Sequence, residues 1–240
     1  MKRLSLLTLV FAVLSVIFVL LLIFFRSSFA LYPLISYQDV FDLLTPLVLI
    51  QVYWLLFRAA ANEAPSLSEE LAFVVLAALW VLGHGMHLSA NSIDNLIDGL
   101  ARRQVVDIRP TDVYQLAYWF DEHLSHYLWH LGVLGLAALL IYREARRPAG
   151  VATVWWVTIV AGILYGFLWF CIFLEGQTVV LGLPCALVLV AYGLIAQRRS
   201  LAQRPVLAFF FVACCLALLL FAGWGAYWRS FPQFSDVGLI

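Results

Sequence analysis

All five histidines of this 240-residue chain fall between His84 and His130, on two consecutive apolar stretches. The first stretch carries Gly83-His84-Gly85-Met86-His87-Leu88-Ser89-Ala90-Asn91-Ser92-Ile93-Asp94. At roughly 100° per residue, a helix that continues far enough sets His84, His87, Asn91, Asp94 and Asp98 within an arc of about 80°. The second stretch carries Asp121-Glu122-His123-Leu124-Ser125-His126-Tyr127-Leu128-Trp129-His130. There Glu122, His123, His126 and His130 share an arc of about 100°, while Asp121 points to the opposite side. These spacings stack imidazoles along one stripe and set Glu122 beside His126.

A neutral imidazole offers a lone pair to a metal, and a nearby carboxylate can either ligate or hold the other ring N–H. The candidate metal ligands are therefore His84, His87, His123, His126 and His130, with Glu122 and Asp94 as the candidate catalytic carboxylates. Zinc is the simplest expectation, because three histidines, or two and a carboxylate, leave one position open for water. Bound water then ionises near a pKa of about 7, and Glu122 or Asp94 serves as general base. Iron and copper are rivals, although Met86 lies about 200° from His84 and off the stripe, which argues against copper. A bis-histidine haem and a dinuclear site completed by carboxylates are further alternatives, the latter lacking a Glu-x-x-His pair. A non-enzymatic alternative is a metal or proton transporter with helices broken at Pro46, Gly182 and Pro184.

The elements that must position these groups are membrane helices. The chain is 65% hydrophobic and 12% charged, with a mean hydropathy of +0.98. An ordinary soluble domain carries about 25% charge, so a water-soluble globule is excluded. Fourteen basic against 14 acidic residues also leave no footprint for nucleic acid, and the hydrophobicity excludes disorder. A helix needs about 20 apolar residues to cross a bilayer. Seven runs qualify, near 4–25, 41–61, 71–93, 113–142, 151–174, 178–196 and 206–228. The expected fold is a single all-α, multi-pass bundle of about seven transmembrane helices, with the bilayer as partner and a plasma or inner membrane as location.

The first run follows Lys2 and Arg3 like a signal peptide, but signal cores hold about 7–15 apolar residues, so a retained helix is expected. Cytoplasmic loops carry the excess of Lys and Arg. An amino-in arrangement places Lys2, Arg3, Arg58, Arg143, Arg146, Arg147, Arg198, Arg199 and Arg204 inside, against Arg26, Arg102, Arg103, Arg109 and Arg229 outside. The carboxyl tail is then outside. The three arginines of the 91–112 loop run against that arrangement. Cys171, Cys185, Cys214 and Cys215 lie in apolar spans without metal spacing and read as inert packing residues.

Ionisable groups inside a span are costly and by default mark a functional site. With the third span running outward and the fourth inward, both histidine clusters reach similar depth, together with Asp39, Asp42 and Glu175. The segment from Ser125 to Leu131, an HxxxH with an aromatic just before its second histidine and acidic residues ahead, resembles the HxxxH helix of the CREST superfamily of seven-helix membrane hydrolases. That resemblance implies a zinc held by His126, His130 and either His84 or His87, hydrolysing an amide or ester of a lipid-like substrate. The helix order differs, since the family places this motif on its last helix and here it lies on the fourth.

Overall fold

The computed structural model describes residues 2–146 and 152–239. Arg147 and Val151, which enter the topology count and the fifth run, lie outside the described residues. The helices are α1 (Lys2–Phe24), α2 (Tyr37–Ala60), α3 (Leu67–Arg102), α4 (Asp112–Ala145), α5 (Trp155–Glu175), α6 (Val179–Ile195) and α7 (Pro205–Trp228). One small antiparallel hairpin, β1 (Ser28–Phe29) with β2 (Tyr32–Ser36), joins α1 to α2. Six helices are long and apolar enough to cross a membrane. The exception to the seven expected spans is α6, with 17 residues.

Local signals explain several boundaries. Ser36 and Ser66 each form a capping box, with Asp39 and Glu69 three residues on, which satisfies amide groups at the starts of α2 and α3. Pro205 opens α7, where its missing N–H costs nothing. α2 runs unbroken through Pro46, and α6 through Gly182 and Pro184. The half-helices that a transporter reading would require at those positions are therefore not formed.

α3, with 36 residues, extends well past its apolar run at 71–93, and α4, with 34, follows its own run at 113–142 within a few residues. At 1.5 Å per residue they span about 54 and 51 Å, against a hydrocarbon core of about 30 Å. They pack against each other as neighbours, as do α1 with α2, α1 with α5, α5 with α7 and α6 with α7. The core is built largely of aromatic and aliphatic side chains from α1, α2, α5 and α7, among them Phe11, Tyr53, Phe57, Phe173 and Phe209.

The contact of α3 with α4 depends on two glycines. A Cβ on Gly83 would run into the backbone of α4 at Ser125 and Trp129, and one on Gly132 would come within 2.7 Å of Leu76 O and Trp80 N on α3. Small residues let membrane helices approach backbone to backbone. Gly85, by contrast, has open space beside it. Gly83→Ala is expected to push α3 and α4 apart and cost about 1–3 kcal/mol, as overpacking does. Thermal unfolding in detergent checks this, with Gly85→Ala as the unaffected counterpart.

The end of the bundle opposite the histidines is tied by two consecutive residues on the last turns of α4. Arg143, 2% exposed, donates to Phe57 O (3.0 Å), Glu63 O (3.0 Å) and Glu69 Oε2 (2.8 Å). Its guanidinium also lies over the Phe57 ring, 4.5 Å from the centroid. Glu144 accepts from Val206 N (2.9 Å) and Leu207 N (2.8 Å), placing a carboxylate on the amino end of α7. Arg143 thus sits in a buried network and not among the loop charges with which the sequence count grouped it.

Candidate functional site

The third and fourth spans bring four of the five histidines together. On α3, His84 and His87 face His126 and His130 of α4, with ring centroids 4.9 Å apart for His87 and His126 and 5.9 Å for His126 and His130. Trp129 stands among them, 4.0 Å from His84 and 4.9 Å from His130.

His123 does not join this group. Residues Phe120–Ser125 form a π turn inside α4. A π turn closes between residues five apart, so it shifts the phase that an uninterrupted α-helix would keep. Asp121 is brought to the His126 side, and His123 turns to an exposed position beside Tyr118, 6.3 Å between ring centroids. The expected stripe of Glu122, His123, His126 and His130, with Asp121 opposite, is corrected accordingly. Asp121, 1% exposed, pairs with His87.

The hydrogen bonds of the imidazoles assign their nitrogens. His87 Nδ1 lies 2.7 Å from Asp121 Oδ1, and His126 Nδ1 lies 3.1 Å from the backbone carbonyl of Glu122. A carboxylate and a carbonyl only accept, so Nδ1–H is the donor in both, and each Nε2 keeps its lone pair. His130 Nδ1 bonds Thr178 Oγ1, and its Nε2 is buried with no hydrogen-bond partner. His84 is arranged in the opposite sense. Trp80 Nε1 donates to His84 Nδ1 at 3.0 Å, which leaves the proton of the neutral ring on Nε2, 3.3 Å from Asp42 Oδ1.

Asp42 is a site residue that the histidine pattern did not nominate. It is 6% exposed on the second turn of α2 and interacts electrostatically with His84, His87 and His126. The sequence sets it at the depth of the two clusters, as an ionisable residue within an apolar span, without giving it a role. Thr178, a neutral hydroxyl that no sequence signal marked, also reaches the site, placed by the α5–α6 turn. That turn also brings Gly176 so close that a Cβ there would lie 2.6 Å from His130 Cε1.

The remaining expected residues lie outside the cluster. Glu122 is half-buried and accepts from Gln177 Nε2 at 3.3 Å. Asp94 lies about two turns further along α3 than His87, beside Tyr114. Glu175 receives the carboxyl tail through Phe234 N (2.8 Å) and Ser235 Oγ (3.0 Å). Asp39 is used by its capping box. Cys171, Cys185, Cys214 and Cys215 are free thiols. Among the described residues, no group of three or more His, Cys, Asp or Glu side chains is gathered as a metal-holding set.

Two spaces flank the cluster. A polar pocket of about 470 Å³ lies between the β1–β2 hairpin, α3 and the carboxyl tail, lined by Asp39, Asn91 and Asn95 among others. Asp39 and Asn91 are about one turn from Asp42 and His87, so this pocket lies just beyond the imidazoles. On the other side, a cavity of about 50 Å³ runs between α1, α2, α3, α4 and α5, with His84, His130, Trp80 and Trp129 in its wall.

The expected 91–112 loop is shortened by α3, which runs to Arg102; in the remaining connection Arg109 forms a clasp with Asp107 at 2.6 Å and lies 3.9 Å from Asp98 on α3. The guanidinium holds the exposed Asp107 carboxyl down to about 2. One of the three arginines that ran against an amino-in topology is thus balanced by local acidic partners.

No family model matches the chain, and no curated protein and no solved structure is detectably similar to it.

Proposed function

We propose that this multi-pass membrane protein binds a zinc ion through the Nε2 atoms of His87, His126 and His130, and hydrolyses an amide or ester bond of a lipid-like substrate there. The observation that carries this reading is the common use of Nδ1. His87, His126 and His130 each commit that atom to Asp121, the Glu122 carbonyl or Thr178, with Nδ1–H the donor to Thr178 in the metal-binding tautomer. Metal-ligating histidines characteristically donate their other N–H in this way, which fixes the tautomer and aims the free nitrogen. The rings must still close toward one another to share an ion, through side-chain rotation within the cluster. His84 serves differently, its Nε2–H facing Asp42 as a positioning contact.

Zinc at such a site lowers the pKa of its water toward about 7. Asp42, buried beside His84, would accept a proton from a water held among these imidazoles. Such a water would add to the acyl carbon as the C–O or C–N bond breaks, and Asp42 would return the proton to the leaving oxygen or nitrogen. Glu122, turned toward Gln177, is the alternative proton carrier. The polar pocket would supply water. The reading is a chemical analogy with the CREST hydrolases, whose zinc is likewise held by an HxxxH pair and a histidine from another helix.

For topology we propose an amino end in the cytoplasm and seven crossings. α6 begins at Thr178 beside His130, and α7 begins at the Glu144 end of α4, so α6 covers the distance between the two ends. Its 17 residues reach about 25 Å, at the short end of the range for a span.

Metal analysis of detergent-purified protein tests the function. About one zinc per chain is expected, and its loss in His126→Ala. Iron, copper or a haem absorption band would replace zinc with one of the redox readings. Metal-free protein, with His126→Ala changing nothing measurable, would sink the proposal.

A further inference from the structure

The short turn between α5 and α6 departs from the usual chemistry of a helix end. α5 closes with Gln177 N–H on Leu174 O (3.2 Å) and Thr178 N–H on Phe173 O (3.0 Å), the hydrogen-bond pair of a left-handed helix stop. The left-handed position of such a stop is ordinarily glycine, because a side chain there crowds the backbone. Here the glycine comes one residue early. Gly176 has an ordinary φ of −80°, and the left-handed position, with φ 51°, is given to Gln177. The contacts of each residue supply the reason. A Cβ on Gly176 would strike His130, and the Gln177 amide donates both to Glu122 Oε2 (3.3 Å) and to Gln233 Oε1 (3.1 Å).

The turn is thereby held from two sides. On the inner side the buried Thr178 bonds His130 Nδ1. On the outer side the carboxyl tail lies across it. The Glu175 carboxylate accepts from Phe234 N (2.8 Å) and Ser235 Oγ (3.0 Å), and its backbone carbonyl accepts from Gln233 Nε2. The Phe234 ring packs on Phe170 and Trp224, with centroids 5.8 and 5.1 Å away. Glu175 thus faces the tail, Gly176 and Thr178 face His130, and Gln177 joins the tail to α4 through one amide. Glu175 and Ser235 also stand in the wall of the polar pocket, so the docked tail forms one side of that space.

We propose that Gln177 is a positioning residue that couples the carboxyl tail to the histidine cluster, so that docking of the tail and occupation of the cluster by a metal favour each other. A left-handed glutamine is unfavourable by itself and persists where its surroundings hold it. Here Glu122 and the docked tail supply that hold, and the same backbone conformation keeps Thr178 against the ring of His130. The link from tail to imidazole rests on these hydrogen bonds alone, and the metal as occupant rests on the zinc reading. Such coupling is reciprocal: the factor that docking adds to zinc affinity is the factor that zinc adds to docking.

Gln177→Gly separates coupling from stability, because glycine suits the left-handed position better and carries no amide. The full-length variant in detergent should keep or raise its unfolding midpoint. Its zinc affinity, titrated against a chelator, should fall about fivefold or more, the low end of couplings between sites. Hydrogen exchange read by mass spectrometry follows the tail. In the wild type, zinc should slow exchange in the peptide containing Phe234 by a similar factor, and in Gln177→Gly the slowing should be largely lost. Zinc affinity, or the effect of zinc on tail exchange, left unchanged by Gln177→Gly would overturn the proposal. A lowered midpoint with a parallel loss of zinc would mark a merely structural residue and overturn it too. If the wild type takes up no zinc, the metal reading fails by itself and metal-free protein decides the coupling. There His130→Ala should speed tail exchange severalfold and His123→Ala should not, whereas equal exchange in both variants and the wild type would overturn the link.

Discussion

Arg143→Ala is expected to destabilise the protein by about 3–5 kcal/mol, the range found when one partner of a buried ion pair is removed. Three acceptors lose their donor at once: the carbonyls of Phe57 and Glu63 and the carboxylate of Glu69. These groups belong to the end of α2, the connection after it and the first turn of α3, so one side chain of α4 gathers three neighbouring segments. Glu69 retains Ser66 and a more distant Arg146, at 3.6 Å, which moderates the loss at that residue. Arg143→Lys keeps the charge but not the planar fork and should lose about half as much, since a single ammonium reaches fewer of these acceptors in fixed geometry. Arg143→Met keeps contact with the Phe57 ring and separates packing from hydrogen bonding. Unfolding in mixed detergent and SDS, followed by circular dichroism, gives the order: wild type, Lys, then Met and Ala. Equal stability of wild type and Met would show that the polar network contributes nothing net.

Asp121→Asn is expected to weaken zinc binding about 10–100-fold, the usual cost of removing a carboxylate that orients a metal-bound histidine. The carboxylate enforces a proton on His87 Nδ1, whereas an amide can turn its NH₂ group toward that atom and favour the other tautomer. The fold should be little affected, because Asn is isosteric with Asp and the π turn is held by the backbone. Titration of apo-protein with zinc against a competing chelator measures the effect. His123→Ala is the informative counterpart, with zinc affinity unchanged, since the π turn directs that ring away from the cluster. Equal losses in Asp121→Asn and His123→Ala would mean that the helix is uninterrupted around a bound metal.

Much of the architecture was legible in the sequence because hydrophobicity is a local property. The apolar runs mark the helices, and the histidine spacing marks two that face each other. The departures have tertiary causes. Nothing in Phe120-Asp121-Glu122-His123-Leu124-Ser125 announces a π turn, and it exchanges Asp121 for His123 at the site. Asp42 and Thr178 arrive from α2 and the α5–α6 turn, and no spacing within one helix reports a partner on another. Arg143 was counted as a loop charge because a basic residue near a helix end is ordinarily at the membrane surface. Its burial follows from acceptors supplied by α2 and α3. The carboxyl end of α3 also lies well past its apolar run, because a helix continues wherever its backbone stays hydrogen-bonded.

The surplus length of α3 and α4 makes the molecule asymmetric across the bilayer. If about 30 Å of each helix is in hydrocarbon, some 20 Å of paired helix stands clear of it. Its tip, between Arg102 and Asp112, carries the exposed Asp107–Arg109 clasp. A cysteine at position 106 would stand in water on one side only, so a membrane-impermeant maleimide added to intact cells or to inverted vesicles would react in just one of the two preparations. The same projection gives antibodies and tethered fluorophores a handle remote from the histidine cluster, and gives a crystal lattice a polar surface that a bundle cut flush with the lipid would lack.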